Sequence, residues 1–153
     1  MKIACKYCGI VSKPHDCPRK PKRKNKSRYR KDVSVYNTKA YRRERENVMS
    51  MYNNTCLWSL YVTGRIENAN ETHHIIEILE DESKGTDPSN LIPLKGTIHC
   101  FIHDLYDCNA NVKYEIQELL RLFKREYESG CYELGKYRRT VEKIIAPHGF
   151  EIF

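Results

Sequence analysis

The sequence predicts an α+β fold with a small cysteine-rich module at the N-terminus and a helical extension at the C-terminus. Three observations support this prediction. Residues 5–17 contain three Cys and one His. Residues 57–94 contain short apolar segments separated by turn-forming residues, a pattern typical of short strands. Apolar residues recur at helical spacing between residues 112 and 127.

Length and composition exclude several classes of protein. The chain has 153 residues, enough to bury a core without disulfides, and 31% of them are charged. Its apolar runs are shorter than the ~20 residues of a membrane-spanning helix, and it has no collagen or coiled-coil repeat. The seven Cys follow no apolar leader segment. We therefore expect reduced thiols or metal ligands, and not the disulfide framework of a small secreted protein.

The N-terminal module has the spacing of a short zinc knuckle. Two residues separate Cys5 from Cys8, and His15 and Cys17 follow. Three thiolates and one imidazole form a closed tetrahedral donor set for structural zinc. The alternative is a group of surface thiols beside an unrelated histidine. Because three Cys fall within thirteen residues, the zinc interpretation is favoured.

The segment after the module is strongly basic. Residues 1–32 carry a net charge of +10, from 12 Lys/Arg and 2 Asp, whereas residues 33–153 carry −3, from 15 Lys/Arg and 18 Asp/Glu. Such a segment cannot bury apolar surface and is expected to be extended or disordered. We expect it to bind DNA phosphates without sequence specificity, with a solubilising linker as the alternative. The predicted contact residues are Arg19, Lys20, Lys22, Arg23, Lys24, Lys26, Arg28, Arg30 and Lys31.

The first predicted helix begins near residue 38. Thr38 or Asn37 is a suitable N-cap, and Asn53-Asn54 is expected to end the helix. Its buried face is predicted to contain Tyr41, Val48, Met49 and Tyr52.

Strands are predicted next, because β-branched and aromatic residues dominate the following segments. The predicted order is a strand at 57–62, a turn at 63–64, a return strand at 65–66, a strand at 72–76, an acidic loop at 77–89 and a short strand at 90–94.

Helices complete the chain. Thr97 is expected to cap a helix that runs to about Tyr106, and a clear amphipathic helix follows between residues 112 and 127. A weaker helix is predicted at 132–145, ended by Pro147. The basic residues here are predicted to form a solvated face, with phosphate contacts as the alternative; they are Lys124, Arg125, Lys136, Arg138 and Arg139.

The candidate chemistry lies in the histidines, since four of the six fall between residues 73 and 103. His73 and His74 are adjacent on a predicted strand, so their side chains should point to opposite faces. His99 and His103 are four apart on a predicted helix and can bind one metal ion together. A neutral His with its pKa near neutrality is a suitable base for phosphodiester hydrolysis. The alternative is a set of satisfied structural polar residues.

The arrangement resembles the HNH endonucleases, a ββα-metal nuclease family, between about Tyr36 and Asp107. The matching segments are His73-His74-Ile75-Ile76, Asn90-Leu91-Ile92-Pro93-Leu94 and His99-Cys100-Phe101-Ile102-His103. The upstream segment from Tyr36 to Arg45 is similar to the first helix of phage-borne HNH proteins.

The resemblance implies a role for each histidine. It makes His74 the general base and Asn90 the residue that orients the loop or the base. It makes His73, His99 and His103 the ligands of one catalytic divalent ion. Three imidazoles favour Zn²⁺, Ni²⁺ or Mn²⁺, while Mg²⁺ fits if Asn90 and phosphate oxygens join the ligands.

Two features depart from the family pattern. Many relatives have Pro where this chain has Glu77, and many hold a structural zinc with two CxxC pairs. Only Cys56 remains of those four thiols, so it is expected to be an ordinary buried thiol.

The sequence therefore predicts a zinc knuckle (1–18), a basic arm (19–35), an HNH nuclease domain (36–108) and a C-terminal helical extension (109–153). The expected function is metal-dependent hydrolysis of DNA with low sequence specificity, with RNA as an open alternative substrate. A non-catalytic nucleic-acid-binding zinc protein is the competing hypothesis. By resemblance alone, the partners include phage packaging or other DNA-processing proteins, and the location is the cytoplasm of a bacterial host.

Overall fold

The computed structural model describes residues 2–6, 8–15, 17, 18 and 31–153, with Lys31 described by its backbone only. The chain is an α+β protein with two compact units, Met1–Arg30 and Lys31–Phe153. Of the predicted basic arm (19–35), residues 19–30 lie outside the described residues, and residues 31–35 belong to the first helix, Lys31–Tyr36. None of the described helices has the length and apolar character that a bilayer crossing requires.

The N-terminal unit contains a β-hairpin. Strands β1 (Lys2–Cys5) and β2 (Gly9–Ser12) pair antiparallel, with Cys5 opposite Gly9. Gly9 has a φ of +79°, a conformation that glycine adopts without a steric penalty, so the chain can reverse directly after Cys8. The hairpin thus brings two of the predicted zinc ligands to its turn.

The second unit is mainly helical around one small sheet. In chain order it contains α1 (Lys31–Tyr36), α2 (Lys39–Met51), a π-helix (Ser59–Thr63), β3 (Glu71–His74), β4 (Leu91–Leu94), α3 (Gly96–Cys108), α4 (Ala110–Glu128) and α5 (Arg138–Ile145). Short 3₁₀ turns lie at Glu82–Lys84, Pro88–Asn90 and Ala146–His148.

The sheet places the histidines next to the following helix. Strands β3 and β4 pair antiparallel, with His73 opposite Ile92 and His74 opposite Leu91. After Lys95 the chain enters α3, which packs against β3. The order β3, β4, α3 therefore brings the His73-His74 pair and the α3 histidines to one region.

The core is formed by aromatic and aliphatic side chains from nearly every element of this unit. Trp58 and Tyr61 are fully buried against Phe123 of α4, with ring centroids 6.3 and 5.3 Å from it. α3 and α4 pack along each other, and α5 covers α4 and the π-helix. This continuous core fixes α3, and with it the two α3 histidines.

Several elements agree with the sequence prediction. Thr38 is the N-cap of α2, and its Oγ1 accepts a hydrogen bond from the backbone N–H of Tyr41 at 3.1 Å. The four residues predicted for its buried face are all buried. Helix α4 ends just before Ser129-Gly130 as predicted, and Cys56 is a fully buried thiol.

Other predictions were wrong. Residues 57–62 are helical, not a strand, and the predicted return strand at 65–66 does not form. Helix α3 begins at Gly96, before Thr97, and α5 begins at Arg138, not near Tyr132. A short apolar run buried on all sides does not distinguish a helix from a strand by its periodicity.

Lys124 also differs from its prediction. It does not belong to a solvated face, because its side chain is buried and its Nζ donates to three backbone carbonyls. Arg125, Arg138 and Arg139 are exposed as predicted, and Lys136 is exposed and paired with Glu126.

Candidate metal centre and the adjacent histidine

Three imidazoles converge where β3 meets α3. One ligating nitrogen each of His73, His99 and His103 lies within 4.8 Å of the others. The Nε2 atoms of His99 and His103 are 3.2 Å apart. Nitrogens about 2.0–2.1 Å from a tetrahedral cation lie roughly 3.3 Å from each other. The spacing of this triad therefore fits one divalent ion.

Regular secondary structure produces this convergence. Alternation along β3 directs His73 toward α3, where its ring centroid lies 5.1 Å from that of His99 and 5.0 Å from that of His103. The i, i+4 spacing stacks His99 and His103 on the same helix face, as predicted.

The environment of His73 also fits a cation. The residue is 1% exposed, and among the described residues its two ring nitrogens have no hydrogen-bond partner. An unsatisfied buried polar group is costly, and a metal ion would satisfy one of these nitrogens. Burial, followed by the neighbouring His99 and His103, lowers the pKa of His73 well below its ordinary value. The ring is thus neutral, as a metal ligand must be.

Two carboxylates lie beside the outer nitrogens of the α3 histidines. Nδ1 of His99 is 2.6 Å from Oε2 of Glu71, and Nδ1 of His103 is 3.3 Å from Oε1 of Glu77. Burial lowers the pKa of His99, and Glu71 partly offsets that effect. Neither glutamate was predicted from the sequence as a site residue. Glu71 lies two residues before His73 on the same strand face, which is a pattern that sequence alone could have revealed.

His74 points to the other side of β3, also as predicted. Its Nε2 lies 2.9 Å from the carbonyl oxygen of Gly85. Because a carbonyl only accepts, Nε2 carries the hydrogen and Nδ1 is the basic nitrogen. The ring stacks on Tyr41 at 5.6 Å and meets the edge of Tyr36 at 5.6 Å. Burial lowers the pKa of His74, while the Gly85 carbonyl opposes that shift.

Asn90 connects the two ends of the loop that follows β3. Its Oδ1 accepts from the backbone N–H of Ile76 at 2.7 Å, and its Nδ2 donates to the carbonyls of Ile76 and Lys84 at 2.9 and 3.2 Å. Lys84 directly precedes Gly85, so Asn90 fixes the segment that orients His74. The structure brings Asn90 to the loop and not to the His triad.

Lys124 supports the same segment from α4. Its Nζ donates to the carbonyls of Pro88, Ser89 and Leu91 at 2.8, 2.9 and 2.8 Å. These three carbonyls flank Asn90 on both sides. This role could not be predicted from the sequence, because a lysine on an amphipathic helix is normally solvated.

The N-terminal cluster is a second group of side chains that could hold a metal ion. Ligand atoms of Cys5, Cys8, His15 and Cys17 lie within 4.8 Å of one another. The Sγ atom of Cys17 is 3.5 Å from those of Cys5 and Cys8. Sulfurs about 2.3 Å from a tetrahedral zinc lie roughly 3.8 Å apart, so the cluster can hold a metal ion such as zinc. All four predicted residues are brought together here.

Comparisons of the chain with protein-family models, with curated proteins and with solved structures found no match. Its function therefore has to be inferred from the chemistry of these two clusters and of His74.

Proposed function

We propose that the chain is a metal-dependent endonuclease of the HNH type that hydrolyses phosphodiester bonds in DNA. The observation that carries this proposal is the position of a possible metal site and a possible base on opposite sides of β3. A triad suited to one divalent ion lies on one side of the strand, and the adjacent His74 lies on the other with a defined basic nitrogen. Phosphodiester hydrolysis needs a positive charge that stabilises the phosphate and the leaving oxygen, and it needs a base that takes a proton from water.

The three histidines of the triad and His74 would have different roles in the reaction. His73, His99 and His103 would hold the ion, which supplies a positive charge for the phosphate and the leaving oxygen. Nδ1 of His74 accepts a proton from the attacking water as the new O–P bond forms and the P–O3′ bond breaks. The Gly85 carbonyl keeps Nε2–H of His74 in place and stabilises the imidazolium that results. The leaving oxygen takes its proton from solvent.

The proposal extends to the two N-terminal segments. The Cys5–Cys17 cluster would bind structural zinc, because a hairpin of this size has too few apolar residues for a core of its own. The basic arm would supply phosphate contacts that carry no sequence information. RNA remains the alternative substrate, since neither segment distinguishes the two nucleic acids.

One observation favours the competing hypothesis of a non-catalytic nucleic-acid-binding protein. The His74 ring is 4% exposed, and it lies beneath Tyr36, which is itself 40% exposed. A base must contact the water that it deprotonates. Catalysis therefore requires either that α1 moves away from His74 or that the substrate reaches His74 alongside Tyr36.

Plasmid nicking separates these functions. The experiment compares the wild type, His74→Ala and the exposed control His148→Ala in a panel of Zn²⁺, Ni²⁺, Mn²⁺ and Mg²⁺. We expect His74→Ala to reduce cleavage by about 10²–10⁴-fold while DNA binding and metal content stay unchanged. The control should match the wild type. Activity of His74→Ala within threefold of wild type would remove His74 from the base role, and a wild type inactive with every ion would support the non-catalytic hypothesis.

A further inference from the structure

We propose that Glu71 and Glu77 are positioning residues of the metal centre: they fix the tautomers of His99 and His103, so that both Nε2 lone pairs face the same point. This inference rests on the metal centre of the proposed function and goes beyond it, because neither glutamate belongs to the ligand set.

The contact of Glu71 with His99 defines the hydrogen position. A carboxylate only accepts hydrogen bonds, so the 2.6 Å contact places the imidazole hydrogen on Nδ1 and leaves Nε2 as a bare acceptor. Gly96, the first residue of α3, leaves room for this contact. A Cβ at Gly96 would lie 3.0 Å from Oε1 of Glu71.

Glu77 lies beside His103 at a longer distance, with its Oε1 3.3 Å from Nδ1 of His103. Its other oxygen accepts from Nζ of Lys113 at 2.5 Å, and Lys113 also pairs with Glu80 at 2.7 Å. Lys113 thus anchors Glu77 to α4. Carboxylates that receive the outer N–H of ligating histidines orient the rings and strengthen metal binding.

The consequence is an arrangement that favours a cation. With hydrogens on both Nδ1 atoms, two Nε2 lone pairs face each other at 3.2 Å and repel unless a positive charge lies between them. Beside the triad, three glutamates (Glu71, Glu77 and Glu80) face one lysine (Lys113), a formal excess of two acidic groups. That excess matches the charge of one divalent ion.

Metal titration of the full-length chain tests the proposal. One equivalent of Zn²⁺ first occupies the thiolate cluster, and calorimetry then measures Co²⁺ binding at the triad. We expect Glu71→Ala and Glu77→Ala to weaken Co²⁺ affinity by about 10–100-fold. Glu71→Gln should weaken Co²⁺ affinity less, because its amide oxygen can still accept a hydrogen bond from His99. The matched control is Glu115→Gln, which changes an exposed glutamate of α4 that is not part of this charge excess.

Gly96→Ala separates positioning from folding. The added Cβ should displace the Glu71 carboxylate, while alanine is the better residue for a helix. We therefore expect weaker Co²⁺ binding in a protein that is at least as resistant to heat. A loss of affinity that only follows a loss of stability, in this variant and the glutamate variants, would overturn the positioning role.

The tautomers can be measured directly in the metal-free chain by ¹⁵N NMR of the histidine rings. The wild type should show Nδ1–H for His99 and His103. Glu71→Ala should allow the His99 hydrogen to occupy either ring nitrogen and should leave the tautomer of His103 unchanged. Unchanged tautomers in the glutamate variants would overturn the inference even if the wild type binds metal and cleaves DNA. A wild type with the predicted tautomers that binds metal but does not cleave would leave the inference standing and overturn the nuclease proposal.

Discussion

Asn90 shows how one side chain can control a loop. Its amide makes three hydrogen bonds to backbone groups of Ile76 and Lys84. Alanine would leave these backbone groups without a hydrogen-bond partner at this position. We expect Asn90→Ala to lower the free energy of unfolding by about 2–4 kcal/mol, since each lost bond costs roughly 1 kcal/mol and buried groups stay unsatisfied. The measurement is chemical denaturation, with the exposed Asn111→Ala as the control.

The same variant distinguishes the loop role from a ligand role. Because Asn90 fixes the segment that holds His74, turnover should fall in Asn90→Ala, whereas metal affinity at the His triad should stay within threefold of wild type. A large loss of metal affinity in calorimetry would instead make Asn90 a ligand, as one interpretation of the sequence allowed.

Lys124 predicts a specific pH dependence of stability. Burial lowers its pKa from 10.5 to about 8, although Glu128 and Asp87 oppose the shift. Between these two values the unfolded chain binds a proton that the folded chain has released, so the free energy of unfolding rises with pH. Below pH 8 both states are protonated and the cost of burying the charge is fully present.

Lys124→Met removes this titration. From about pH 7.5 to 9.5 the free energy of unfolding of the wild type should therefore rise relative to that of Lys124→Met, with a slope below ~1.4 kcal/mol per pH unit. Urea denaturation at several pH values measures the difference. Lys143→Met, at an exposed position of α5, is the control and should show no such trend. A difference that falls as pH rises would contradict the lowered pKa.

Among the elements, helices with a polar face were predictable and the buried helical turn was not. α2 and α4 each have a clear apolar stripe with polar residues opposite, and their burial follows that stripe. Residues 57–62 are apolar or uncharged on every side and wholly buried, so no periodicity marks them. Gly64 was predicted to lie in a turn between two strands, but its φ of +70° is that of the residue that ends a helix.

The candidate site shows a similar division. Spacing along one strand and one helix was enough to predict that His73, His99 and His103 converge and that His74 faces away. Contacts between distant elements were not predictable, because they depend on packing. The pairing of Glu77 with His103 and the burial of Lys124 beneath the Asn90 turn both belong to this class.

Helix α2 contributes to the site through Tyr41. Its ring stacks on His74, and its hydroxyl lies 3.0 Å from Oγ1 of Thr72. If His74 is the base, Tyr41→Leu should lower kcat by about tenfold or more, since small misplacements of a catalytic group are costly. Tyr41→Phe keeps the ring and should stay within threefold. Steady-state kinetics on an oligonucleotide separates kcat from KM, and equal losses in the two variants would show that the hydroxyl, and not the stacking, matters.

At the scale of the molecule, the two units should respond differently to a chelator. None of the described residues in the first unit is buried, so we expect its fold to depend on a metal ion bound by the Cys5–Cys17 cluster. The second unit has its own core, and it contains the only Trp of the chain, Trp58. We expect chelation to abolish the amide protection of the β1–β2 hairpin while the thermal transition followed by Trp58 fluorescence stays cooperative. Loss of both together would contradict independent units.

The charge distribution of the whole chain leads to a prediction about DNA binding. Residues 33–153 carry a net charge of −3, so the nine basic residues of the arm should provide most of the non-specific affinity. If the arm engages about six phosphates, log K should fall with log[salt] at a slope of about −5, from roughly −0.9 per phosphate. Replacing the nine residues by Gln in the full-length chain should flatten this slope and raise KM. The chemical step at saturating DNA should be unaffected, because the four histidines and Asn90 are unchanged.

A control with the exposed Arg125, Arg138 and Arg139 replaced by Gln should keep the wild-type slope. The reverse pattern, with the slope lost in the control and kept in the arm variant, would place the phosphate contacts on α4 and α5 and make the arm a solubilising linker.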